Sequence, residues 1–346
     1  MALRWHGRGD VRLDEVDPPP PPGPGQLQLA VCACGICGTD VEEWREGPVL
    51  VPVGTPHPLS GQRAPITLGH ELAGKVVAAG PGASAQVGDL VAVDGLVSCQ
   101  QCRECRRGAP NRCAHFGQVG LTSDGGLQPL VNVPAEASVV MPQGAPPEAG
   151  ALAETLSVAV RALRRAHLRP GEATVIVGCG PVGLLAVQAA RAMGAASIVV
   201  LEPLASRRSA AMTLGADLAI DTEAGGAGQG LAADVAVECS GRPESVAAAI
   251  SSVGPAGRVA LVGIGKQPAF LNALDVVQQE KTIVGSFSHV CSEDFTGALA
   301  MIGSGAIRWD GMLTWVPLAR SLDEGLLALE RQPHRYLKIM ISPEAA

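Results

Sequence analysis

One short stretch restricts the possible architectures more than any other. The apolar run Thr174 to Val177 leads directly into Gly178-Cys179-Gly180-Pro181-Val182-Gly183 and then into an Ala/Leu-rich segment reaching Met193. The run has the length and branching of a buried strand, and the segment after it has the spacing of a helix that opens on proline. A G-x-G-x-x-G pattern between strand and helix is what a dinucleotide pyrophosphate needs. Gly178 makes the tight turn, Gly180 lets the backbone approach the phosphates, and Gly183 permits close helix packing, while the helix N-terminus at Pro181 and Val182 faces the anion. With 43 glycines in the chain the pattern alone is weak. What strengthens it is Glu202, at the end of the next apolar run and 24 positions after Gly178. A carboxylate there accepts hydrogen bonds from the ribose hydroxyls of NAD and repels the 2′-phosphate of NADP. The alternative is that Glu202 merely caps the next helix, and Arg207 and Arg208 beside it keep mixed cofactor use open.

The same rhythm continues along the second half of the chain. Strands are expected at Ser197 to Leu201, Leu218 to Ile220, Val235 to Glu238, Arg258 to Val262 and Thr282 to Gly285, with helices at Ala205 to Leu214 and Ser245 to Ser251. Strand and helix alternating at this spacing imply a parallel, doubly wound sheet. The first half, rich in Gly and Pro, reads instead as short strands at Leu27 to Cys32, Gly74 to Ala79, Leu90 to Val93 and Leu130 to Val133. The run Pro18 to Pro22 reads as a stiff surface connector. The tail loses the alternating rhythm and ends in a helix-like stretch, Leu322 to Glu330, and a strand, Lys338 to Ile341. At 346 residues the chain exceeds the roughly 250 that one core supports. The expected division is a mainly β domain over 1–149, a nucleotide-binding domain over 150–289, and a return to the first domain over 290–346, with a cleft between the two.

Cysteine usage points to metal. Four of the ten cysteines, Cys99, Cys102, Cys105 and Cys113, fall within fifteen residues with the spacing C-x2-C-x2-C-x7-C. That spacing folds a lobe around a tetrahedral four-thiolate zinc with no open position, a structural site. A second constellation is dispersed: Cys37, then His70 and Glu71, then Glu154. Each taken singly has a bland reading as a core thiol or a surface carboxylate. Alongside a nucleotide fold the set acquires chemical sense, because hydride transfer to a ketone needs an electrophile, and an ion held by S, N and O ligands with one open position supplies it.

These motifs give the chain its family likeness. It resembles, over essentially its whole length, the zinc-containing medium-chain dehydrogenases, in the polyol branch that holds sorbitol, threonine and 2,3-butanediol dehydrogenases. Leu3-Arg4-Trp5-His6-Gly7, His57-Pro58-Leu59-Ser60-Gly61, Ala64-Pro65-Ile66-Thr67-Leu68-Gly69-His70-Glu71 and Glu202-Pro203 are most similar to the (R,R)-butanediol members. The resemblance implies a Rossmann domain joined to a GroES-like catalytic domain carrying the structural-zinc lobe. It further implies two Zn2+ per chain and NAD, with Cys37 and His70 as catalytic-zinc ligands and Glu71 and Glu154 as third ligand or partner of the zinc-bound water. Asp40 is expected to orient a ligand. Thr39 is expected to hydrogen-bond the substrate oxygen and pass its proton through ribose and water to Glu42, which stands where the family often has His. Two further departures, Gly126-Leu127-Gln128-Pro129-Leu130-Val131 for an aromatic stretch and Thr155 for a proline, lie near pocket and interface, and Arg161 replaces a nearby His.

The formal charge is −7 with both signs intermixed, so there is no basic stripe for nucleic acid and no polybasic helix for a membrane surface. The N-terminus has no apolar core with a cleavage site. The expected protein is a cytoplasmic homo-oligomer, dimer or tetramer, acting on a small alcohol or ketone. A cyclitol or amino-sugar alcohol is the rival substrate class, and a catalytically silent NAD-binding protein is the rival of another kind.

Overall fold

Alternation governs the first unit. In the strand Gln26–Ile36 the residues Leu27, Leu29 and Val31 are buried while their neighbours are partly exposed, the period-2 pattern of a strand with one covered face. It lies at the centre of a seven-stranded sheet, flanked on one side by Glu71–Ala79 and on the other by Leu130–Pro134 along its first half and by the C-terminal strand Lys338–Ser342 along its last residues. The structure, a computed structural model, describes residues 1–224 and 228–343. This unit comprises Met1–Glu154, Val290–Gly303 and Trp309–Ala346. Its core gathers Leu3, Trp5, Leu27, Leu72, Val91 and Ile339.

The second unit, Thr155–His289 with Ser304–Arg308, is built on a six-stranded, wholly parallel sheet. In spatial order its strands are Leu218–Ile220, Ser197–Leu201, Ala173–Val177, Ala233–Glu238, Val253–Leu261 and Thr282–Gly285. Chain order reverses between Ala173–Val177 and Ala233–Glu238, the point where open α/β sheets leave a crevice beyond their carboxyl ends. Both strands are almost continuously buried, as strands covered on both faces must be.

Several elements depart from the sequence expectation. The N-terminal strands Ala2–Gly7 and Asp10–Asp14, the helix Gly38–Glu46 and the strand Leu313–Pro317 carry no sharp local signal. The 19-residue helix Pro147–Arg165 runs across the expected change of texture, and the division between the units falls within it, after Glu154. The stretch Leu322 to Glu330 is a π-helical turn, Ser321–Leu326, followed by the short helix Leu327–Arg331. The proline run is pinned rather than free: Gln28 Nε2 donates to the carbonyls of Pro19 and Pro20, and Asn132 Nδ2 to Pro20.

Candidate metal centres and dinucleotide loop

Cys37 stands at the N-cap of the helix Gly38–Glu46. Its backbone N–H donates to Asp40 Oδ2 at 2.8 Å, so a carboxylate three residues into the helix fixes the turn that presents the thiol. His70 and Glu71 arrive on the strand beginning at Glu71, after Gly69, whose φ of +96° and close approach to Cys34 and Leu127 leave no room for a side chain. The ligand atoms of Cys37, His70 and Glu71 lie within 4.8 Å of one another. His70 and Glu71 are buried.

The electrostatics of this cluster call for a cation. Burial disfavours charge on His70, yet the neighbouring Asp40 and Cys37 outweigh it and hold the imidazole well above its ordinary pKa. His70 Nδ1 lies 3.6 Å from Asp40 Oδ1, and neither atom has a hydrogen-bond partner among the described residues. A soft sulfur, an imidazole and a carboxylate converging in a buried pocket that favours positive charge fit Zn2+. Glu154 is buried in the same unit but lies outside the three-residue ligand cluster; its charge is felt at Lys338, which pairs with Glu71. Thr39 Oγ1 accepts from Cys37 Sγ at 3.7 Å, and Glu42 is half-buried on the same helix.

The second cluster brings together Cys99, Cys102, Cys105 and Cys113, again within 4.8 Å. Backbone N–H groups point at the sulfurs: Cys102 N at Cys99 Sγ, Cys99 N at Cys113 Sγ and His115 N at Cys113 Sγ, at 3.2–3.3 Å. The N–H groups of Cys105 and Ala114 bring the Cys102 thiol down to about 6, and that of Gln101 lowers Cys99. Burial instead pushes Cys113 up to about 12. Four sulfurs converging within this lobe, with backbone N–H groups turned toward them, suit a closed zinc site.

In the second unit the glycine loop has the required geometry. Gly178 adopts φ +87°, a Cβ on Gly183 would run into the Gly178 carbonyl, and a Cβ on Gly180 would meet nothing within 4 Å. The last of these leaves open space at the N-cap of the helix Pro181–Ala192, the approach a phosphate requires. Glu202 is buried and does two things with its carboxylate: Oε2 accepts from Cys179 N at 2.7 Å within the loop, and Oε1 from Leu204 N at 3.0 Å. Arg208 is committed to the Glu202 and Pro203 carbonyls and to Asp221, whereas the charge of Arg207 is felt at Cys179.

Two buried charges went unremarked in the sequence. Glu43 accepts the backbone N–H groups of Val49, Leu50 and Val51, and Lys338 makes an ion pair with Glu71. The only hint was for Lys338, a charged residue among apolar neighbours; Glu43, in a polar run, gave none. The departures near Leu127 turn out to be packing: Leu127 is fully buried in the first unit's core, and Gln128 donates to the Gly125 carbonyl.

Residues 23–143 match the alcohol dehydrogenase GroES-like domain, and residues 181–304 match the zinc-binding dehydrogenase domain. The (R,R)-butanediol dehydrogenase of Bacillus subtilis is 33% identical over 353 residues, covering 99% of each chain. The crystal structure of 2R,3R-butanediol dehydrogenase from Bacillus subtilis superposes with a TM-score of 0.91 at 33% identity, again over 99% of each chain. A zinc-binding dehydrogenase from Sinorhizobium meliloti, bound to NADP, superposes with a TM-score of 0.89 at 28% identity, covering 99% of this chain and 98% of that one.

Proposed function

Because the chain belongs to the family of zinc-binding dehydrogenases, we propose that its substrate is a vicinal secondary diol or the corresponding hydroxyketone, of the 2,3-butanediol and acetoin type. The enzyme is a zinc-dependent oxidoreductase of secondary alcohols that uses a nicotinamide dinucleotide. The observation that carries the reading is the convergence of Cys37, His70 and Glu71 within 4.8 Å in a buried pocket.

Cys37, His70 and Glu71, with Glu154 as the exchanging partner, hold the catalytic ion; Cys99, Cys102, Cys105 and Cys113 hold the structural one. When bound, the catalytic Zn2+ supplies a Lewis acid that polarises the substrate oxygen. The remaining work falls to the chain's own groups. Asp40, beside His70 Nδ1, orients the imidazole. Thr39 takes the substrate's hydroxyl proton, and Glu42, three residues on and hence on the same helical face, receives it. Gly178, Gly180, Pro181, Val182 and Gly183 cradle the pyrophosphate. Glu202 faces the adenosine ribose and disfavours a 2′-phosphate, while Arg207 sits near enough to the loop to moderate that preference.

The assembly is a homo-oligomer in a reducing, cytoplasmic setting, a reading supported by ten cysteines that form no disulfide among the described residues. It is also supported by an apolar patch in the second unit. Ile264 is 71% exposed, Phe270 86%, Leu274 62% and Val277 73%, in the stretch of chain before the sheet's edge strand Thr282–Gly285. Exposed apolar side chains of this kind, together with a sheet edge unpaired among the described residues, fit a second copy of the chain. Among the described residues no helix is long and apolar enough to cross a membrane.

The test is NADH formation against vicinal diols, polyols, threonine and simple secondary alcohols. The expected outcome is the highest kcat/KM with a vicinal diol, and at least ~10-fold preference for NAD, equivalent to ~1.4 kcal/mol. A clear preference for threonine or a cyclitol would displace the diol assignment, and equal use of NADP would displace that of Glu202.

A further inference from the structure

Three adjacent strands of the first unit bring a lysine, a glycine and a glutamate to one place. Lys338 begins the C-terminal strand, whose next residues Ile339 and Met340 lie opposite Ile36 and Gly35. Gly35 in turn lies opposite Glu71 on its other side. The Lys338 ammonium pairs with Glu71 Oε2, and the two side chains are only 2% and 1% exposed. Gly35 makes this possible: a Cβ there would collide with Glu71 Oε2 and stand 2.9 Å from Lys338 Cε.

A carboxylate beside a divalent ion can offer one oxygen or two, and the choice sets how many positions remain for a substrate oxygen. We propose that Lys338 is a positioning residue: by engaging one oxygen of Glu71, it limits Glu71 to a single oxygen toward the metal and so keeps a coordination position open. This inference rests on the assignment of Cys37, His70 and Glu71 as the catalytic-zinc site. A buried ion pair of this kind is costly to desolvate and poor evidence of stabilisation, which makes a role in the site the more economical account of its presence. The arrangement also couples the C-terminal strand to the metal pocket, since the strand's first residue supplies the cation.

The test uses full-length protein with Co2+ in place of zinc, whose visible absorption weakens as coordination number rises. The four-thiolate site contributes equally to every variant and cancels in the difference from wild type. Lys338→Gln is expected to lower the band of the catalytic site and to reduce kcat 10- to 100-fold, the range typical of residues that orient a metal ligand, with NADH affinity unchanged. Lys338→Arg, which keeps the charge, is expected to restore the band. Wild-type protein that takes up two cobalt ions per chain, with an unaltered band in folded Lys338→Gln, overturns the inference while leaving the zinc site in place. Uptake of only one cobalt by wild type overturns both. Should Lys338→Gln fail to fold, Lys338→Met, which keeps the buried chain's length without its charge, decides the matter: a weakened band supports the inference and an unaltered one overturns it.

Discussion

Cys37 sits at the start of a helix and contributes a thiol to a pocket rather than a side chain to the core, so its loss should separate chemistry from stability. Cys37→Ser is expected to lower turnover by on the order of 10³-fold, about 4 kcal/mol of transition-state stabilisation. NADH binding, measured by fluorescence titration, should stay near wild type because the glycine loop belongs to the other unit; wild-type turnover would refute the proposed mechanism. Glu43 behaves in the opposite way. Its carboxylate satisfies three consecutive backbone N–H groups, of Val49, Leu50 and the buried Val51, so Glu43→Ala should cost about 2 kcal/mol by leaving these donors, one of them buried, without their acceptor. Denaturant titration should show a lower midpoint while Zn2+ content is retained. Cys37 and His70 were legible from residue type and their flanking Gly-Thr-Asp and Gly-His-Glu motifs. Glu43 and Lys338 were not, because what each does depends on partners that only the fold brings near.

At the level of elements, strands and helices bounded by glycine or proline were read closely. The strand Ser197–Leu201 and the strand Thr282–Gly285 have the bounds expected for them, since both are short apolar runs between turn residues. The helix Gly38–Glu46 was illegible because its polar sequence lacks an apolar stripe, and it is placed by Asp40 and by Trp5 Nε1 donating to the Glu43 carbonyl at 2.8 Å. The helix Pro147–Arg165 was hidden for another reason: it is largely buried and runs across the change from the Gly- and Pro-rich first half to the alternating second half, so neither texture marks it. The cysteine lobe is an element with almost no core of its own: its short helix Arg103–Arg106 buries no residue. Cys102→Ser should therefore lose one metal equivalent and lower the melting temperature by several degrees, because metal binding there is folding free energy. A variant that keeps full metal content and an unshifted melting curve would speak against a structural site.

For the whole molecule, the parallel sheet and the mainly β unit followed from hydrophobic periodicity, whereas the apolar patch at 264–277 did not. Exposed apolar side chains look, in a single sequence, like any other apolar segment. Leu274 and Val277 lie three residues apart on the helix Ala273–Gln278 and share a face. Introducing Asp at both should shift the protein toward monomers in analytical ultracentrifugation, with the second unit still folded; an unchanged sedimentation coefficient would place the interface elsewhere. The C-terminal strand has a different consequence, one that concerns the order of events during synthesis. The second unit's parallel sheet is encoded by one uninterrupted stretch of chain and can assemble while the ribosome is still working. The strand Gln26–Ile36 must wait for Lys338–Ser342, some 300 residues later, or roughly 15–60 s at ordinary translation rates. Throughout that interval one edge of the nascent first sheet is unpaired, so the half of the protein made first is the half that finishes last and is the more exposed to aggregation and to chaperones.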